Sequence, residues 1–252
     1  MTILSDIPVH KIFPCNSQGR DLFVGDIHGQ YALLIHALKV LHFDKYHDRI
    51  FSVGDLTDRG IDSLRCLKLA REKWFFPVLG NHESFILEKY DNDIYKQNVW
   101  IMNGGEWWFS LSREEKALAR NIVSSCYSLT LSVTVGKLVI GLIHASYPFS
   151  VWPPDERNTS DESLHEMLWG RDDILKNTGH HINHTDLVIC GHTPLVTPQL
   201  KQNKLFIDTG AAYNSSKFIP DPRLTLCELQ AETILIHSIN MHDEKHYHLP
   251  FS

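Results

Sequence analysis

Six side chains in short motifs offer only oxygen and imidazole nitrogen: Asp26, His28, Asp55, Asn81, His144 and His192. The motifs are Gly25-Asp26-Ile27-His28-Gly29, Gly54-Asp55-Leu56-Thr57-Asp58-Arg59-Gly60, Gly80-Asn81-His82-Glu83, Ile143-His144-Ala145 and Gly191-His192-Thr193. A donor set without thiolate suits Mn, Fe, Zn or Co rather than a structural cysteine-type zinc. Two cations held about 3.5–4 Å apart need a bridging carboxylate. Asp55, central in chain order, is the expected bridge. A lone Asp-x-His or Gly-His-Thr carries little information. Five motifs, each directly behind an apolar β-type run, carry far more, because a motif gains meaning from its structural context.

The elements that must position these residues are legible in outline. Leu22-Phe23-Val24, Ile50-Phe51-Ser52-Val53 and Phe76-Pro77-Val78-Leu79 each run into Gly-Asp or Gly-Asn. Helical patterns follow over 31–41, 61–74 and 83–90. Strand, glycine turn and helix in repetition predict a mostly parallel sheet, with ligands at the carboxyl ends of its strands. Residues 91–128 read as helical with an interruption at Gly104-Gly105. Residues 128–135 and 137–143 predict a hairpin around Gly136. A short helix is expected over 162–168, and strands over 187–190, 204–207 and 223–229, with 233–239 pairing to the last. The expected fold class is α/β, two mixed β-sheets packed as a sandwich with flanking helices.

The chain has 252 residues, 43% hydrophobic and 21% charged, which is ordinary globular composition and enough to bury a sizeable core. A net charge of −6 argues against a general nucleic-acid binder, which carries a basic face. Residues 1–20 lack the apolar core of a signal peptide, and no apolar run has the length of a membrane span. The five cysteines are scattered without a CxxC pair, which predicts free thiols and a reducing, cytoplasmic setting.

The motifs resemble those of the phosphoprotein phosphatase branch of the calcineurin-like metallophosphoesterases. Gly-Asp-x-His-Gly, Gly-Asp-x-x-Asp-Arg-Gly and Gly-Asn-His-Glu stand intact and in order. Within that branch the chain is most similar to the bacterial and phage-type serine/threonine protein phosphatases. Trp100-Ile101-Met102-Asn103-Gly104-Gly105, His144-Ala145-Ser146-Tyr147-Pro148 and Leu168-Trp169-Gly170-Arg171 carry that likeness, which covers roughly residues 20–230. It implies one metal on Asp26, His28 and Asp55, and a second on Asp55, Asn81, His144 and His192. Mn is the ion it favours. It implies His82 as general acid with Asp58 as partner, and Arg59, Arg171 and Asn81 as substrate contacts. Phosphoserine and phosphothreonine monoesters, with phosphotyrosine as an extension, would be hydrolysed by direct attack of a metal-bridging hydroxide. Phosphoproteins are the implied partners, with no nucleic acid, no membrane and a monomer as default.

Residues 21–240 are then a single metallophosphoesterase catalytic domain, 1–20 an irregular lead-in and 241–252 a C-terminal tail. Two competing functions share the scaffold. One is a symmetrical diadenosine tetraphosphate hydrolase, a group that resembles this chain in the first and third motifs but usually lacks the acid matching Asp58. The other is a non-catalytic binding module, whose members tend to lose the ligands that are all filled here. One departure is Ser146, where the bacterial relatives typically carry Asp.

Other conspicuous residues have plainer expectations. His36, His42 and His47 read as surface or helix-end groups. His180, His181 and His184 read as a polar loop with a smaller claim to line the cleft. His237, His242, His246 and His248 show no metal-type spacing and read as a surface tail. Trp107 and Trp108 are either an aromatic wall at the site or, more simply, core packing. Glu83 is either an arginine partner or a first-turn helix acid.

Overall fold

A computed structural model describes residues 7–88, 93–155, 157, 159–176, 179–230 and 233–250. Two sheets organise it. The first has the order β1 (His10–Phe13), β5 (Thr130–Val135), β6 (Leu138–Ile143), β7 (Leu187–Cys190), β9 (Lys204–Phe206), β8 (Gln199–Lys201). The second has the order β12 (Glu244–Pro250), β11 (Thr233–Ile239), β10 (Leu224–Gln230), β2 (Asp21–Val24), β3 (Arg49–Ser52), β4 (Phe75–Pro77). Strands β2, β3 and β4 run parallel, as do β6, β7 and β9. Antiparallel β10, β11 and β12 extend the second sheet, so both sheets are mixed.

Successive side chains of a strand point to opposite faces, and here both faces are buried. Phe23, Phe51, Leu131, Val133, Ile140, Leu142, Ile189, Leu205, Cys227 and Ile236 form one cluster between the sheets. The alternate residues Leu22, Val24, Ile50, Val188, Cys190 and Leu226 join a second cluster with the helices. Burial on both faces is why these strands read as continuous apolar runs.

The helices are α1 (Tyr31–Val40), α2 (Ser63–Lys68), α3 (Asn81–Leu87), α4 (Ile94–Met102), α5 (Glu106–Phe109), α6 (Arg113–Cys126), α7 (Asp161–Trp169) and α8 (Asp172–Leu175). The third begins inside its motif, at Asn81, not after it, because Glu83 reaches back to the Gly80 N–H at 3.3 Å as an N3 acid. Helix α6 starts with a complete capping box between Ser112 and Glu115. The end of the 83–90 expectation lies outside the described residues.

Both chain ends differ from expectation. The lead-in contains β1, which pairs in parallel with β5 from His10↔Thr130 to Phe13↔Val133. The expected tail contains β12, which pairs with β11 along its whole length. Tyr247 and Leu249 pack on the inter-sheet cluster while His246 and His248 face outward, so this is an amphipathic edge strand. Among the described residues, no helix is long and apolar enough to cross a membrane.

Candidate metal centre

Strands β2, β3, β4, β6 and β7 end on one rim, and the segment after each delivers a motif there. The expected ligands meet at a buried cluster with Asp55 at its middle. Asp55 Oδ2 lies 3.5 Å from His28 Nε2 and 3.7 Å from His82 Nε2, and its Oδ1 lies 3.4 Å from His144 Nε2. Asp26 Oδ2 is 3.9 Å from His28 Nε2. His144 Nε2 is 2.8 Å from Asn81 Oδ1 and 3.2 Å from His192 Nδ1. Donor atoms of His28, Asp55 and His82, and of Asp55, His144 and His192, lie within 4.8 Å of one another, so the two groups share Asp55.

The backbone at this rim is unusual. His28, Asp55, Asp58, Arg59 and His192 all have positive φ, between 44° and 70°. Each such non-glycine conformation costs on the order of 1–3 kcal/mol and persists where surrounding structure over-determines it. Glu83 is a large part of that surrounding structure. Its Oε1 accepts from the Leu56 and Thr57 N–H groups and the Thr57 hydroxyl, and its Oε2 from the Asp55 N–H. Glu83 therefore clamps the loop that carries Asp55, and pairs with no arginine among the described residues. Gly104 has φ +91°, and a Cβ there would sit 2.5 Å from Arg59 N, so the second motif needs this glycine against it.

Two of the imidazoles turn an unprotonated nitrogen to the cluster. His28 Nδ1 donates to Thr57 O and His144 Nδ1 to Val53 O, each at 2.7 Å, which leaves both Nε2 atoms free of hydrogen. Burial pushes His28 and His144 below the usual histidine range, and pushes His192 down to about 2. Asp55 is buried, yet His144, His82, His28 and His192 together hold it far below the usual carboxylate range. Asp26 moves the other way, raised by burial and then by Asp208 and Asp55.

His82 belongs to a different arrangement. Its Nδ1 is 2.7 Å from Asp58 Oδ2, which also accepts from Trp100 Nε1 at 2.8 Å, and Asp58 Oδ1 accepts from Trp107 Nε1 at 2.6 Å. Burial pulls the His82 pKa down, but Asp55 and Asp58 outweigh it and the net shift is upward. A histidine held toward protonation is a poor ligand, so its place in the first donor group does not make it one. The Trp107 side chain is half-buried at the site, while Trp108 is 3% exposed and packs on Trp100 at 5.1 Å between ring centroids. Trp108 is thus core packing, and Trp107 packs against the same core while its indole N–H holds Asp58.

Arg59 reaches the mouth of the cluster, with Nη2 3.2 Å from His82 Nε2, Nη1 against His28 Nε2, and its guanidinium 5.1 Å from the Tyr213 ring centre. Arg171 Nε donates to His192 Nε2 at 3.2 Å. Arg171 immediately precedes α8, which is anchored by a 2.6 Å ion pair between Asp173 and the fully buried Lys204. Ser146 is buried, and its hydroxyl has no partner among the described residues. His180 bonds to Phe149 O on the exposed surface, and His181 and His184 are likewise exposed.

Asp208 was not among the expected residues. It directly follows the apolar run Leu205-Phe206-Ile207 at the end of β9, without the glycine that precedes Asp26, and has glycine two positions on. Its Oδ1 accepts from Gly210 N at 2.9 Å, while buried Oδ2 has no hydrogen-bond partner among the described residues. Burial pushes this carboxyl up to about 6. Asp26, Asp55 and Asp208 put three buried carboxylates beside neutral imidazoles, a donor set that fits divalent cations.

A raised carboxyl pKa disfavours the metal-free fold above the unfolded value near 4. The cost builds between that value and about 6 and is constant above it. Asp208→Asn is therefore expected to stabilise metal-free protein at pH 7.5 by on the order of 2 kcal/mol and to change it little at pH 4. The same variant is expected to bind divalent metal about 10- to 100-fold more weakly. Calorimetric melting of chelated protein at the two pH values, with a metal titration, checks both signs.

Residues 20–196 match the calcineurin-like phosphoesterase family. The chain is 36% identical over 209 residues to serine/threonine-protein phosphatase 1 of Salmonella typhimurium, covering 82% of this chain and 90% of that protein. Over 67 residues it is 43% identical to the symmetrical bis(5'-nucleosyl)-tetraphosphatase of Mannheimia succiniciproducens, which covers 26% of this chain and 24% of that one. A serine/threonine phosphatase structure from Saccharomyces cerevisiae superposes with a TM-score of 0.59 at 17% identity, covering 99% of this chain and 86% of that chain. The chain belongs to the calcineurin-like phosphoesterase family and is a metallophosphoesterase.

Proposed function

We propose that this enzyme is a protein phosphatase that hydrolyses phosphoserine and phosphothreonine monoesters, with phosphotyrosine as a further substrate. The observation that carries the reading is the His82–Asp58 pair, locked by the Trp100 and Trp107 indoles and facing the cluster. A proton donor is what an alkyl ester needs, because an alkoxide is a poor leaving group.

In this reading Asp26, His28 and Asp55 hold one divalent cation, and Asp55, Asn81, His144 and His192 hold another, with Mn2+ as the preferred ion. When bound, the pair supplies Lewis acidity that makes a water nucleophilic near neutral pH and takes up charge on phosphorus. The side chains do the rest. Arg59 and Arg171 bind the phosphoryl oxygens by charge-assisted bonds and fix the ester in line. Asn81 adds an amide donor on the same side. His82, kept protonated by Asp58 and Asp55, gives its Nε2 proton to the departing serine or threonine oxygen. Tyr213, stacked on Arg59, limits that guanidinium's freedom beside the peptide. Phosphoproteins are the partners, and a cytoplasmic monomer, without nucleic acid or membrane, completes the proposal.

The test is Mn-loaded protein assayed on phosphoserine, phosphothreonine and phosphotyrosine peptides, with diadenosine tetraphosphate as counter-substrate. The serine and threonine peptides are expected to give the highest kcat/KM. Faster cleavage of the dinucleotide would move the assignment to a tetraphosphatase, and inactivity of folded, metal-loaded protein would move it to a binding module.

A further inference from the structure

On the antiparallel wing of the second sheet, β11 and β12 bring two histidines together. His237 and His246 are direct cross-strand partners, and their Nδ1 atoms lie 3.0 Å apart with the rings nearly perpendicular at 86°. The far nitrogen of each ring faces a carboxylate. His237 Nε2 is 4.0 Å from Glu228 Oε1, and His246 Nε2 is 3.5 Å from Glu244 Oε1. His237 Nε2 is buried without a hydrogen-bond partner among the described residues.

We propose that His237 and His246 form a second metal site, separate from the catalytic cluster, that takes a late first-row divalent cation of square geometry, Cu2+ or Ni2+. The geometry selects the class. Imidazole nitrogens bind such ions at about 2.0–2.1 Å, so two donors 3.0 Å apart subtend about 90° at one ion. That is the cis angle of a square-planar or octahedral ion, and tighter than the tetrahedral angle that zinc takes. Ligating histidines commonly turn their other nitrogen to a carboxylate, which fixes the ring and raises its basicity. Glu244 at 3.5 Å and Glu228 at 4.0 Å face those nitrogens at ion-pair distance without hydrogen-bonding to them, Glu228 itself held by Gln230 at 3.1 Å and near Arg20 at 3.5 Å. His246 is 45% exposed, so water can complete the coordination, while His237 at 14% supplies a rigid half.

The competing description is one N–H···N bond between two neutral rings, which binds nothing. Isothermal titration of Ni2+ into Mn-saturated full-length protein separates the two, with wild type compared against His246→Gln. The exposed edge position lets that variant fold, and its Mn-dependent activity on nitrophenyl phosphate is expected to stay at the wild-type level. Wild type is expected to take one more Ni2+ equivalent than the variant, or to bind that equivalent at least tenfold more tightly. Nitrogen couplings from two imidazoles in the spectrum of bound Cu2+, reduced in the variant, would agree. Equal Ni2+ stoichiometry and affinity in both proteins overturns the site, whichever ester the catalytic cluster hydrolyses.

Discussion

Asp55→Asn is expected to lower metal-dependent hydrolysis of nitrophenyl phosphate by about 10³-fold or more, a loss of about 4 kcal/mol in transition-state stabilisation. The reason is position and charge together. Asp55 sends one oxygen toward His144 and the other toward His28, so it is the one carboxylate common to both donor groups. An asparagine there keeps one oxygen and loses the anion, so two cations no longer share a countercharge. The substitution is mild for the fold. Asp55 has φ 50°, and asparagine tolerates that left-handed conformation better than most residues. The Asp55 backbone N–H would still donate to Glu83. Activity, metal affinity and melting temperature therefore need to be read together. Wild-type turnover at ordinary metal concentration would remove Asp55 from the bridge position.

The second large effect falls on one class of substrate. His82→Asn is expected to slow phosphoserine-peptide hydrolysis by about 10²- to 10⁴-fold and nitrophenyl phosphate hydrolysis by less than about tenfold. A nitrophenolate leaves readily without a proton, and a serine alkoxide does not. The asparagine side chain can still meet Asp58, and the backbone N–H at 82 still donates to Asp55 Oδ1 at 3.1 Å, so the Asp55 contact survives. Equal losses on both substrates would assign His82 to ground-state binding or folding instead of proton donation.

The sequence reading and the structure agree where the signal is local and repeated. An apolar run followed by Gly-Asp or Gly-Asn marks β2, β3 and β4, because these parallel strands are buried on both faces and must stop where the chain turns toward the site. Leu205-Phe206-Ile207-Asp208 carries only part of that signal, an apolar run ending in Asp with no glycine before it. Strand β12 was readable as well. Tyr247 and Leu249 alternate with His246 and His248 at the period of a strand, and the density of histidines concealed the alternation. The pairing of His237 with His246 was not readable, since it depends on the β11–β12 register. Nor were the left-handed conformations at His28, Asp55, Asp58, Arg59 and His192, or the two indoles converging on Asp58. Those arise from tertiary contacts such as the Glu83 clamp, to which local sequence pattern is blind.

Anomalous diffraction from crystals soaked in Mn2+ tests the centre of the account most directly. Two manganese peaks about 3.5–4 Å apart, on either side of the Asp55 carboxylate and within bonding reach of His28 and His144, are the expected result. A single peak, or peaks only at positions remote from Asp55, would contradict it.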